Sequence, residues 1–444
     1  MSENGADRKP EIPETDENRW FINEKIIRQP LTKRQVFRRL LLTAFCAILF
    51  GVLSAVCFVV TQPLAQKVLG QGTDETSGQI TIPRDELETT PAATEAVTEP
   101  ETPVETEPME QLIQSELKKY EYSVEDLDKL YGNLRSIAAE ADKSIVTVHS
   151  IQREKDWFNN PIETTGQFSG IITARTRGEI LVLVPKAAVE SADSIEVSFL
   201  DGIVREGTIR QSDSLMDLAI VSVSISDLDS AQADKLKPIE LGNSYGIKQG
   251  DVVVAVGAPA GIVHSSSYGF VSYVVRNVQV IDGSLRLFFT DAGTDVEAGT
   301  FLLNTSGQLV GWATDQYTEN KDKNMAAVIG ISDYKGALEL LSNGIPIPYF
   351  GVRGQEVSQE MASSGMPKGI YVTECAADSP AYKSGIQPGD VLTWMNGTEI
   401  KNMKDFQNQL EALPVGETVQ VAVLRSNGRN EYKEIEYQVT IGAR

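Results

Sequence analysis

The sequence predicts a mainly β protein, with a large region of barrel or sandwich type, a small α/β domain after it, and an N-terminal transmembrane helix. Three observations carry this. Between Ser144 and about Ser332, short apolar runs recur between turn residues. After Gly344, Pro346 and Pro348, strand and helix patterns mix, and near the start Leu40–Gln66 holds no charged residue. Many short strands without intervening helical patterns close into sandwiches or barrels rather than into a βαβ sheet.

With 444 residues the chain can bury two or three separate cores. Its formal charge of −22 excludes a phosphate-binding surface, so no nucleic-acid partner is expected. Of three cysteines, Cys46 and Cys57 lie in the apolar segment and Cys375 stands by itself, which leaves neither a disulfide framework nor a Cys-rich zinc site. Asp291, Asp295, Glu297 and Asp315 read as a solvated acidic face rather than as metal ligands, and no nucleotide-binding glycine loop occurs, so no cofactor and no metal are expected.

Taken in order, residues 1–39 are polar, of mixed charge, and read as a cytoplasmic tail. Residues 40–62 supply the roughly 20 apolar residues that a helix needs to cross a bilayer. Lys25, Arg28, Lys33, Arg34, Arg38 and Arg39 precede them and place the N-terminus in the cytoplasm, with everything after residue 66 outside it. A cleaved signal peptide is the competing reading, although the basic region and the apolar core are both long for one. The acidic Thr/Glu/Pro-rich stretch 70–108 reads as an extended spacer. Residues 109–142 read as helical: Ser123-Val-Glu-Asp126 is a capping box with Asp for the usual Glu, and Leu127, Leu130, Leu134, Ile137 and Ala141 follow at helical spacing. That stripe suits packing on the next domain or an oligomer contact.

Residues 143–343 form the β-rich region. Its strands are expected at Ile145–Val148, Ile180–Val184, Ile195–Leu200, Leu218–Val223, Val252–Val256, Phe270–Val275, Leu285–Phe289, Gln308–Trp312 and Ala326–Ile329, with a closing helix at Asp333–Ser342. In residues 345–444, strands are expected at Ile370–Thr373, Val391–Trp394, Thr418–Leu424 and Glu434–Ile441, and helices at Ser379–Ser384 and Met403–Leu413.

Several stretches then line up with one family. Phe168-Ser-Gly-Ile-Ile172, Ile195–Gly202, Asp217-Leu-Ala-Ile-Val221, Leu241-Gly-Asn-Ser244, Ala255–Pro259, Gly269–Ser272 and Thr290-Asp-Ala292 resemble, in order, the motifs of the HtrA/Deg serine proteases. Asp378-Ser-Pro-Ala381, Gly385-Ile386, Pro388–Leu392 and Asn396-Gly397 resemble a PDZ domain. The resemblance covers about residues 140–444 and implies a trypsin-like double β-barrel followed by a PDZ domain. Tyr349, Phe350, Gly351 and Val352 fall where a PDZ domain holds a peptide's C-terminal carboxylate on backbone amides, and Gly351 by itself permits such a turn.

The same resemblance locates a catalytic triad whose residues are largely missing. Counting back from Ala192 and Ile195 puts Ala187 at the histidine position, and a slip of one residue gives Lys186 or Ala188. Asp217 stands at the acid position and Ala298 at the nucleophile position, in a loop one residue short, with Glu297 as a neighbouring carboxylate poorly suited to an oxyanion hole. His149 and His264 lie elsewhere and read as packing or surface residues. Lys186 acting as base for Thr294 or Thr300 is the one rescue that the sequence offers, and it would require a buried lysine with a lowered pKa.

The expectation is therefore a membrane-anchored extracytoplasmic pseudoprotease of HtrA type. It would bind C-terminal or unfolded segments of envelope proteins as a sensor, adaptor or holdase in protein quality control. A homotrimer or an active paralogous protease are its candidate partners. An active serine-type endopeptidase with a non-standard site is the alternative.

Overall fold

The computed structural model describes residues 79–86, 123–155, 157–158, 161–317, 325–428 and 431–444. The expected tail 1–39, the membrane helix 40–62, most of the spacer and residues 109–122 lie outside them.

Helix α1 (Val124–Asp142) starts at the capping box read from sequence. Ser123 Oγ accepts from the Asp126 N–H at 3.3 Å, and the Ser123 N–H donates to Asp126 Oδ2 at 3.1 Å. The two groups satisfy end donors that a bare helix leaves free. Only the C-terminal half of the apolar stripe is covered: Leu134, Ala138 and Ala141 are buried, while Leu127 and Leu130 are exposed.

The first barrel contains β1 (Ile145–Lys155), β2 (Pro161–Arg175), β3 (Glu179–Pro185), β4 (Ser194–Ser198), β5 (Val204–Asp213) and β6 (Leu218–Ser224), closed in the order β1-β2-β3-β6-β5-β4. The second contains β7 (Val252–Gly257), β8 (Ser265–Val280), β9 (Gly283–Thr290), β10 (Thr300–Leu303), β11 (Leu309–Thr314) and β12 (Ala326–Gly330), closed in the order β10-β11-β12-β9-β8-β7. Closure leaves no unpaired sheet edge. β2, β5 and β10 had no apolar run marked for them. β5 is the clearest case, because VREGTIRQSD is mostly polar and its strand character comes from pairing with β4 and β6.

Phe288 and Phe301 are the largest fully buried side chains of the barrels. Each contributes on the order of 2–3 kcal/mol by leaving water. Helix α2 (Lys335–Ser342) follows the second barrel. Residues 79–86, inside the stretch expected to be an extended spacer, pack against it. Ile82 is buried, Ile80 and Asn343 exchange hydrogen bonds of 2.8 and 2.7 Å, and the Asp85 carboxylate meets Lys335 Nζ at 2.9 Å. Two isoleucines set this short segment apart from its acidic surroundings, and its Asp85 supplies the partner of a buried lysine.

The last domain comprises β13 (Pro348–Tyr349), β14 (Val352–Glu356), β15 (Ile370–Cys375), β16 (Asp390–Met395), β17 (Thr398–Glu399), β18 (Thr418–Ser426), β19 (Tyr432–Thr440) and β20 (Gly442–Ala443). The main sheet runs β14-β15-β16-β18-β19, β17 pairs with β16, and β13 pairs with β20. Helix α3 (Pro380–Ser384) is capped by Ser379, and α4 (Met403–Glu411) by Asn402. The core gathers Phe350, Val352, Ile370, Leu392, Phe406 and Val421.

Candidate functional site

The three positions at which the resemblance expects a triad, Ala187, Asp217 and Ala298, come from separate loops that approach one another. β3 ends at Pro185 and passes into the helical turn Lys186–Ala188, which carries Ala187. The Lys186 N–H donates to the Asp217 carbonyl at 2.8 Å, and Asp217 itself takes a left-handed φ of 53° just before β6. From the second barrel, the Ala298 carbonyl accepts from the Ser169 N–H at 2.7 Å. A Cβ added to Gly299 would stand 2.7 Å from the Ser169 carbonyl oxygen and 3.2 Å from the Pro185 ring. That close approach of two barrels, at φ 93°, is why a glycine follows Ala298.

One carboxylate at these loops, Asp295, is turned onto its own chain. Asp295 Oδ1 accepts from the Ala298 N–H at 2.8 Å. The Asp295 N–H donates to Thr300 Oγ1 at 3.1 Å, and that hydroxyl donates to the Asp295 carbonyl at 2.8 Å. Thr300 is buried with both roles of its hydroxyl taken. The carboxylate that meets a loop amide is thus Asp295, whereas Glu297, singled out from the sequence, is exposed. Asp217 is exposed and accepts from Gln316 Nε2 at 2.7 Å, a side-chain partner from just beyond β11. Lys186 Nζ pairs with Glu190 Oε1 at 2.8 Å, and this hydrogen bond holds its pKa above the usual lysine value. A base needs the opposite shift.

The two histidines have their hydrogen-bond partners outside these three positions. His149 Nε2 lies 3.0 Å from Ser198 Oγ across β1 and β4. His264 Nδ1 lies 2.8 Å from Asp142 Oδ1, and its Nε2 lies 3.4 Å from Thr147 Oγ1. The residue types imitate a triad, but Thr147 is paired to Ser169 on one side and Ser198 on the other. Its neighbouring amides are spent in the ladder, so His264, immediately before β8, ties the end of α1 and β1 to the second barrel. Asp291 also has a local duty: Oδ1 accepts from the Phe270 N–H at 2.6 Å.

The second site is the turn between β13 and β14. Gly351 has φ 89°, and the Phe350 ring is fully buried in edge contact with Phe406, 5.7 Å between centroids. The three successive N–H groups of Phe350, Gly351 and Val352 point at one carboxylate. Asp282 Oδ2 accepts from Phe350 at 2.8 Å and from Gly351 at 2.9 Å, while Oδ1 accepts from Gly351 at 2.7 Å and from Val352 at 2.9 Å. Tyr349 is half-buried beside them, and burial raises its phenol pKa. Sequence reasoning placed the four loop residues and missed Asp282. The only local signal was an Asp-Gly pair between two β-like runs, which marks a turn and says nothing of a distant partner.

Paired six-stranded barrels followed by this small sheet define a trypsin-like peptidase fold carrying a PDZ domain. In agreement, the trypsin-like peptidase domain family matches residues 168–311 and the PDZ domain family matches residues 348–437. The chain is 30% identical over 333 residues to the serine protease Do-like HtrA of Bacillus subtilis (strain 168), covering 70% of this chain and 71% of that relative. It is 29% identical over 274 residues to the serine endoprotease DegS of Haemophilus influenzae, covering 60% and 76%. Among solved structures, the HtrA-type protease AlgWS227A with tripeptide superposes with a TM-score of 0.51 at 23% identity, covering 70% of this chain and 97% of that one. The protein belongs to the HtrA family.

Proposed function

We propose that this HtrA-family protein no longer cuts peptides and acts by binding them, through the PDZ loop Tyr349–Val352, as a sensor, adaptor or holdase for C-terminal or unfolded segments of envelope proteins. The observation that carries the first half is the hydrogen bond from Ala298 to Asp295. At the position that the family resemblance gives to the nucleophile there is a methyl group, and its amide is already held by a carboxylate. An oxyanion hole requires that donor free and aimed at developing negative charge. Ala187 at the histidine position cannot move a proton. The second half is supported by the three convergent amides of the PDZ loop, which suit a carboxylate of any origin.

The alternative of an active endopeptidase built on Lys186 and Thr300 is disfavoured by the ion pair that keeps Lys186 charged and by the burial of the Thr300 hydroxyl. The proposal also includes a single membrane helix at residues 40–62, a cytoplasmic N-terminus and extracytoplasmic barrels, carried by the uncharged segment and the bases before it. Assembly as a homotrimer, or with an active paralogous protease, belongs to the same reading. The test is incubation of the full chain in detergent micelles with labelled casein. Background hydrolysis is expected. Cleavage that disappears in Thr300→Ala or Lys186→Met would establish the alternative.

A further inference from the structure

We infer that the β8–β9 hairpin is a built-in occupant of the PDZ peptide groove, and that the external ligand is a peptide whose free C-terminal carboxylate displaces Asp282. The inference rests on the peptide-binding reading above and names the regulation of that same site.

Four features carry it. First, the Asp282 carboxylate takes all three amides of the loop, with both oxygens engaged. A carboxylate at a chain end presents the same two oxygens, so the two cannot be bound together. Second, the hairpin continues into the groove as a bound peptide would. The Asp282 N–H donates to the Val352 carbonyl at 2.7 Å, Ile281 forms an antiparallel bridge with Arg353, and Gln279 Nε2 donates to Gln355 Oε1 at 2.9 Å. The end of β8 therefore lies along the edge of β14 that β15 does not use, which is strand addition within one chain. Third, α4 closes the other side. Gln407 Nε2 lies 3.5 Å from the Ser284 carbonyl oxygen, and a Cβ on Gly283 would fall 2.2 Å from that same nitrogen. Fourth, Asp282 adopts φ 62° at the tip of a two-residue turn closed by the Val280–Gly283 pair. The left-handed region is uncommon for a residue with a Cβ. Here it aims the carboxylate at the loop.

Occupation from within has a plain thermodynamic consequence. An external peptide binds only the fraction of molecules in which the hairpin has left, so its apparent affinity is lowered by that fraction. Removing the competing carboxylate raises the apparent affinity without adding any contact to the peptide.

The experiment uses the full chain in detergent micelles and a labelled decapeptide ending in valine with a free carboxylate, with its C-terminal amide as control, read by fluorescence anisotropy. Asp282→Asn keeps the side-chain size and replaces one acceptor oxygen by an NH2 group that cannot accept from the loop amides. Asp282→Gly removes the carboxylate and suits the left-handed backbone, so one variant decides if the other misfolds. Both are expected to bind the free-carboxylate peptide at least tenfold more tightly than the parent chain, and the amide control no better. Equal affinity in parent and variants would overturn the inference while leaving peptide binding intact. Binding by none of them would remove the peptide-binding reading, and the inference with it.

Discussion

Asp295 Oδ1 and the Ala298 N–H stand 2.8 Å apart, three residues along one loop, so the amide beside the expected nucleophile position is satisfied by an anion of its own chain. Restoring only the missing side chains leaves that anion in place. Ala298→Ser alone, and the pair Ala187→His with Ala298→Ser, are expected to stay near background on labelled casein. Adding Asp295→Ala to the pair should raise the rate by about 100-fold, the scale of one oxyanion-hole donor. A pair as active as the triple variant would show that Asp295 plays no such role.

Gly351 cannot carry a side chain. A Cβ there would lie 2.1 Å from Ser379 Cβ, at a φ of 89°. Ser379 in turn caps α3 by accepting from the Tyr382 N–H at 3.1 Å. Gly351→Ala is expected to cost about 2 kcal/mol through strain and the displaced cap, and to abolish binding of the free-carboxylate peptide. Hydrogen exchange at the 350–352 amides checks the first effect and anisotropy the second.

Asp390 is buried at 1% exposure and is held by Arg425 in a two-pronged pair, with Nε at 2.6 Å and Nη2 at 2.8 Å. Arg425 also reaches the Gly385 carbonyl and the Tyr437 hydroxyl, and its pKa rises through the bond to Asp390. Arg425→Met strands a buried carboxylate, and a loss of about 3 kcal/mol in PDZ stability is expected. Adding Asp390→Asn should recover part of it. Exchange protection of the β16 amides provides the measurement, and additive losses would mean that the two side chains act separately.

Burial lifts the Asp282 carboxyl from its ordinary 3.8 to about 6, against the loop amides and Arg444, which pull the other way. Asp333, Tyr334, Glu411 and Arg444 line the same pocket, with Tyr349 beside Asp282, and burial raises Asp333, Tyr334 and Glu411 as well. The sign follows from a docked pKa above the free value. Hairpin docking is fully favoured below the ordinary carboxyl range, weakens as pH rises through about 6, and is flat above that. Peptide affinity should therefore increase about tenfold between about pH 5 and 7.5, and Asp282→Asn should flatten the part that belongs to this residue. An unchanged profile in the variant would assign the dependence to Asp333, Glu411 or the peptide.

Much of the architecture was legible in advance because it follows from local pattern. The Ser123–Asp126 box starts α1, inside the stretch 109–142 expected to be helical, and Met403 begins a helix as expected. The apolar runs of β3, β6, β7 and β9 alternate with turns at the spacing of closed barrels. Polar β5 was illegible because its strand character comes from its neighbours. The exposure of Leu127 and Leu130 was equally hidden, since periodicity shows that a stripe exists and not what covers it.

The sequence by itself determined that alanines occupy positions 187 and 298, that Gly351 sits in a turn able to present amides, and that the scaffold is of HtrA type. Only the tertiary structure decided where those amides point. Asp295 could have been solvated like the acids around it, and Asp282 is 69 residues from Gly351 along the chain. Which carboxylate is withdrawn from water depends on packing that no local pattern records. A buried anion persists only where several donors converge on it, and here the folded chain supplies both the anion and the donors.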